Sequence, residues 1–255
     1  MIKYIKDEML TFYISISYYT RINLPFIKIK DFTGLSKAIK YLPLVGILLG
    51  VINLFVYILS YSIFNDKLIS SLFMLIGYVY ITRAFHEDGL TDVFDAFGGG
   101  YNKDKILLIL KDSRIGIFGA TALIFSILLR IIFYSKITYS FYSAIILAPF
   151  FSRFYPLLSV KFYNYVYSKE SESKTIIDKN SITYLLLIIY FLMLFGALFY
   201  IKNYLIFVPL LNLIIWYWIM IYFNKKINGY RGDCLGAIQQ ISEIIFLITY
   251  YAVTK

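Results

Sequence analysis

Potential chemistry is concentrated in the segment Arg83-Ala-Phe-His-Glu-Asp-Gly-Leu-Thr-Asp-Val-Phe-Asp-Ala-Phe-Gly-Gly-Gly100. The chain holds 15 acidic residues, and Glu87, Asp88, Asp92 and Asp95 crowd here beside the sole histidine, His86. Asp88, Asp92 and Asp95 follow one another by four and three positions, which on a helix places them on one face. Three carboxylates on one face repel unless a cation or a basic partner compensates. Hard oxygen ligands suit Mg²⁺, Mn²⁺ or Ca²⁺, and Mg²⁺ is favoured where phosphate oxygens complete an octahedron. The plain structural alternative is a solvated, charged helix start, since acids in a first turn complement the helix dipole. That accounts for Glu87 and Asp88 but poorly for Asp95. It also leaves the apolar Val93, Phe94, Ala96 and Phe97 around the acids unexplained.

Two further polar segments stand beside apolar stretches. In Lys111-Asp-Ser-Arg-Ile-Gly-Ile-Phe-Gly119, Asp112 is a candidate metal ligand and Arg114 a candidate phosphate clamp. The alternative is a helix start with a flanking arginine. In Asn228-Gly-Tyr-Arg-Gly-Asp-Cys-Leu-Gly-Ala237, Asp233 opens the last apolar stretch, with Arg231 just before it, and a capped helix start would read the same way. Glu243 lies deep in that stretch, where a charge is costly and is either functional or a paired structural group. Arg153 sits between Pro149 and Pro156, which predicts a helix broken at a protein-lined cavity. Arg130 is close enough to a span end to snorkel.

The elements that must position these residues are membrane helices. Hydrophobic residues make up 60% of the 255 positions and charged residues 16%, too apolar for a soluble globule and too little charged for a disordered chain. The fold class is therefore all-α, a polytopic integral membrane bundle in which residues 1–255 form a single membrane-embedded domain. The lone Cys234 excludes an internal disulfide and reads as a small hydrophobe. No cleavable signal pattern follows Leu10–Tyr19, so insertion is expected to rely on internal spans. The net charge of +10 does not point to nucleic acid, because the basic residues sit in short loops between apolar stretches.

Seven spans are expected, near Tyr41–Ser62, Leu68–Ala84, Ile115–Tyr134, Thr138–Ser159, Ser181–Ile201, Leu205–Phe223 and Leu235–Ala252. The second is short and runs straight into the acidic segment. Met1 to Leu24 reads as an interfacial or re-entrant helix, or as an eighth span. The loops around Arg21–Lys40, Arg83–Arg114, Lys161–Lys179 and Lys225–Arg231 are long or basic and fall on one side, and the alternate loops are short and nearly uncharged. The positive-inside rule makes that side, with the acidic segment, cytoplasmic. The triple glycine Gly98–Gly100 is expected to end the acidic helix, and Lys169 to Lys179 reads as a polar linker. Carboxylates that hold Mg²⁺ and arginines that neutralise phosphate charge, all near one membrane face, describe transfer of a phosphate-linked group.

Five blocks in order resemble the cobalamin synthase family, the adenosylcobinamide-GDP ribazoletransferases. They are Phe12–Pro25, ending Tyr19-Thr-Arg-Ile-Asn-Leu-Pro25, then Tyr41–Gly50, His86-Glu-Asp-Gly-Leu-Thr-Asp-Val-Phe-Asp95, Lys111–Ala120, and Gly232–Ala237 followed by Glu243. The resemblance covers nearly the whole chain. It implies a Mg²⁺-dependent phosphotransferase of the cell membrane that joins adenosylcobinamide-GDP to α-ribazole or its 5′-phosphate. The products would be adenosylcobalamin, or its 5′-phosphate, and GMP. The ribazole 3′-hydroxyl would be the nucleophile. Asp88, Asp92 and Asp95 would bind Mg²⁺, and Asp112 or Asp233 would complete the site or position the hydroxyl. His86 would act as base or orient a carboxylate, and Arg114, Arg153 and Arg231 would contact phosphate. The family signature gives Glu87 no essential role. Expected partners are those two substrates and the lipid bilayer, not nucleic acid, with self-association left open. Rival readings are a CDP-alcohol-type phosphotransferase, which usually has Ala-Arg where Leu90-Thr91 follow Gly89, and a cation or metabolite transporter.

Overall fold

A computed structural model describes residues 2–23, 35–166 and 178–255. Part of the basic segment after Arg21 and most of the Lys169–Lys179 linker lie outside the described residues, as do Leu24 and Pro25 of the first block. The described residues form helices α1 (Ile2–Tyr19), α2 (Leu35–Ala38), α3 (Leu42–Phe64), α4 (Lys67–Thr82), α5 (Phe85–Gly99), α6 (Lys103–Ile109), α7 (Ile117–Lys136), α8 (Phe141–Ser152), α9 (Phe154–Phe162), α10 (Tyr184–Ile201), α11 (Phe207–Ile227) and α12 (Gly232–Thr254). Among the described residues the one β feature is an isolated bridge between Tyr165 and Tyr230. The all-α expectation holds.

Six helical stretches are long and apolar enough to cross a membrane, or seven if α4 and α5 count as one broken span. They coincide with the expected spans to within a few residues. α1 is not among them, so it is no eighth span by length and composition. It docks through its Glu8 carboxylate, which accepts from Lys40 Nζ at 2.9 Å and from the Tyr41 hydroxyl.

The chain composition accounts for the layering. The α8–α9 stretch is 83% buried and α12 is 67% buried, whereas α7 and α10 are each 22% buried. The two inner spans bury Arg153, Gln239, Gln240 and Glu243, and the outer ones present leucine, isoleucine and phenylalanine outward. Gly50 lets α3 lie against α8, because a Cβ there would sit 2.6 Å from the Ile146 carbonyl oxygen. α8 and α9 meet at Arg153, the break expected from the flanking prolines.

Local residue chemistry fixes the element that carries the acids. Asp66 caps α4 by accepting from the Ile69 amide at 2.8 Å. α4 then stops at two consecutive left-handed residues, Arg83 (φ 58°) and Ala84 (φ 54°), and α5 leaves at 88° to α4. Left-handed backbone costs a β-carbon-bearing residue energy, so the surrounding packing must hold this corner. α5 ends at the triple glycine, as the sequence predicts.

Candidate active site

α5 packs between α7 and α12, and each contact depends on a residue without a side chain. At Gly89 the α12 backbone approaches so closely that a Cβ would lie 2.7 Å from the Asp233 carbonyl oxygen and 3.2 Å from Gly236 Cα. This contact brings the first turn of α12, with Asp233, against the first turns of α5. Gly89→Ala is expected to push the two helices apart, with a stability loss of about 1–3 kcal/mol. Unfolding in detergent would measure that loss. A variant as stable as the parent would refute the tight contact.

Asp95 makes the second junction. Its Oδ2 accepts from the Gly116 amide at 2.7 Å and its Oδ1 from the Gly119 amide at 2.8 Å. Those are unsatisfied amides at the start of α7, where a carboxylate also meets the positive end of the helix dipole. Asp95 therefore ties the end of α5 to the beginning of α7, and with the Gly89 contact this sets the N-termini of both α7 and α12 against α5.

The carboxylates do share a region. Asp92 is half-buried, and its charged neighbours are Asp88, Asp233 and Asp95. Asp88 is exposed. Among the described residues no three carboxylate, histidine or cysteine side chains lie close enough together to form a ready-made metal cage. Helix geometry gives the reason, since Asp88 and Asp95 are seven residues and so roughly 10 Å apart along α5. The set suits hard cations held by one or two carboxylates each, with other oxygens finishing the shell.

The remaining candidates fall into two groups. Asp112 and Arg114 form an exposed pair, with Arg114 Nη2 donating to Asp112 Oδ2 at 2.6 Å and Nε to Oδ1 at 2.9 Å. Arg114's hydrogen bonds, from side chain and backbone, hold the Asp112 carboxyl down at about 2. Asp112 is thus engaged with Arg114 rather than with the α5 acids. Because the pair is exposed, its loss is expected to change stability little.

His86, Arg153 and Arg231 carry buried nitrogens without partners: Nδ1 of His86, Nε and Nη2 of Arg153, and Nε and Nη1 of Arg231. His86 is buried and stacks on the Tyr19 ring at 6.1 Å, pointing away from the face of Asp88 and Asp92. Arg153 is fully buried. Its Nη1 donates to the Pro149 carbonyl at 3.1 Å, and its guanidinium lies 5.6 Å from the centre of the Tyr78 ring. Arg231 precedes α12, next to Asp233.

Sequence reasoning missed the polar network beneath these residues. Glu87 and Arg130 form a fully enclosed ion pair, with Nη1 and Nη2 both 3.1 Å from Oε1. Gln240 donates to the same oxygen at 3.1 Å. Arg130 is 0% exposed, so it does not snorkel: a carboxylate within the bundle satisfies it better than a distant interface. Glu243 accepts from Gln239 at 2.8 Å and from the Tyr78 hydroxyl at 3.1 Å, which makes it a paired group. The spacing Gln239–Glu243 was the available signal, since residues four apart share a helix face.

Known proteins resemble the chain over nearly its whole length. A family model described as cobalamin-5-phosphate synthase matches residues 11–251. An adenosylcobinamide-GDP ribazoletransferase of Shewanella baltica (strain OS185) is 36% identical over 93% of this chain and 92% of its own length. The protein of the same name from Vibrio parahaemolyticus serotype O3:K6 is 31% identical over 97% and 94%. No solved structure gives a significant match. With a match of this extent and a helical membrane bundle to carry it, the chain belongs to the cobalamin-5-phosphate synthase family.

Proposed function

We propose that the chain, as one membrane-embedded catalytic domain, transfers the adenosylcobinamide phosphate of adenosylcobinamide-GDP to α-ribazole or its 5′-phosphate. The products are adenosylcobalamin, or its 5′-phosphate, and GMP. The observation that carries the reading is the gathering of Asp88, Asp95 and Asp233 around Asp92, at the end of the bundle where α7 and α12 begin. The names of the relatives supply the substrate class.

Clustered acids need a cation, and the donor set fits Mg²⁺: hard carboxylate oxygens, too few for a closed cage, leaving room for phosphate. Asp88, Asp92 and Asp233 would hold it, with Asp95 bracing the end of α5. When bound, Mg²⁺ supplies charge neutralisation on the transferring phosphoryl group. Arg231, beside Asp233 and with unpartnered nitrogens, contacts substrate phosphate. Arg114 lies at the exposed edge and binds the outer phosphate. Arg153 supplies positive charge from beneath. The acceptor 3′-hydroxyl loses its proton to a carboxylate of the cluster. His86 faces away from these acids and serves to pack α5 against α1. The cluster side is cytoplasmic, a reading supported by the basic loops that share it.

Purified protein in detergent, given adenosylcobinamide-GDP, α-ribazole and Mg²⁺, is expected to yield adenosylcobalamin and GMP in equal amounts and to stop on chelation. Absence of both products under conditions where the Shewanella baltica relative forms them would overturn the reading.

A further inference from the structure

A cavity of about 300 Å³ lies between α9, α10 and α11, with no residue of α12 in its lining. Leu158, Ile188, Phe191 and Leu213 line it, and Phe162 and Tyr184 stand at one end. Its outer walls face the surroundings, with Ile188 54% and Leu213 38% exposed. The three helices all belong to spans, so those walls meet hydrocarbon.

The two ends of the slot differ. At the Tyr184 end, Lys161 in the last turn of α9 places its Nζ 4.6 Å from the centre of the Tyr184 ring. Among the described residues no carboxylate pairs with Lys161. At the far end, by Phe195 and Pro209, no charged side chain lines the slot, and the Tyr155 hydroxyl is spent on the Pro209 carbonyl at 3.2 Å. From Tyr184 to Phe195 the slot follows α10 for eleven residues, roughly 16 Å. That is about half the ~30 Å of a bilayer's hydrocarbon, the depth of one leaflet.

We propose that this slot binds one anionic phospholipid, an acyl chain lying along α10 and the headgroup phosphate meeting Lys161. A lysine that no described carboxylate neutralises, at the mouth of a one-leaflet apolar slot, matches an anionic amphiphile. This site is separate from the acidic cluster and does not depend on the proposed reaction.

The test is native mass spectrometry of the protein released from nanodiscs containing equal phosphatidylglycerol and phosphatidylcholine with identical chains. The parent is expected to retain one phosphatidylglycerol. Leu213→Trp, which fills the slot, should lose it, and Lys161→Glu should lose the preference for phosphatidylglycerol over phosphatidylcholine. Phe55→Trp, on the exposed face of α3, should change neither. No retained lipid on the parent, equal retention in Leu213→Trp, undiminished preference in Lys161→Glu, or a second copy of the chain in place of lipid would each overturn the proposal.

Discussion

Asp92→Asn is expected to lower GMP release by about 100- to 1,000-fold, the scale on which removal of one group that meets developing charge slows an enzyme. The same substitution should leave the metal-free protein at least as stable as the parent. Asp92 is half-buried among three other carboxylates, and neutralising it relieves like-charge repulsion. Activity and stability would then move in opposite directions, the signature of a group kept for function at a cost to the fold. The measurements are GMP release and thermal unfolding in the same detergent without Mg²⁺. Parent-level turnover in the variant would remove Asp92 from the proposed site. A clear loss of stability alongside lost activity would indicate that the acid supports structure instead.

Arg130→Leu should have the largest effect on stability, about 3–5 kcal/mol, because it leaves Glu87 charged inside the bundle with the Gln240 amide but no counter-charge. Glu87 already has one oxygen, Oε2, without a partner, so little else is available to absorb the loss. The double variant Glu87→Leu/Arg130→Leu removes both charges together and should recover most of the deficit. Reversible unfolding of the four proteins of this cycle separates the pair's coupling from packing. If the single and double variants are equally destabilised, Arg130 contributes mainly through its volume.

The spans were legible because hydrocarbon imposes a length and an apolar composition on any crossing helix. The shared face of Asp88, Asp92 and Asp95 was legible because helix period is a local property. The partners of those residues were not. Asp95 meets amides 21 and 24 residues later, and Glu87 meets an arginine 43 residues later. Only tertiary packing sets such distances, and a single sequence carries no local mark of them. Arg130 misled for a related reason: its position in the span suggested an escape to the interface, whereas its partner lay on another helix. The corner at Arg83-Ala84 was also hidden, because neither residue favours left-handed backbone and the conformation is imposed from outside. Gly89 and Gly119 could be flagged as places of close approach, but not what approaches them.

The bond from Asp95 to the start of α7 closes residues 96–115 into a loop pinned at its neck. Inside a noose of that kind, chain length is a free variable. Residues added at its exposed tip near Tyr101 or Ser113 lengthen the bight without moving the knot. Insertion and deletion there can therefore remodel this rim, while the acids below keep their spacing.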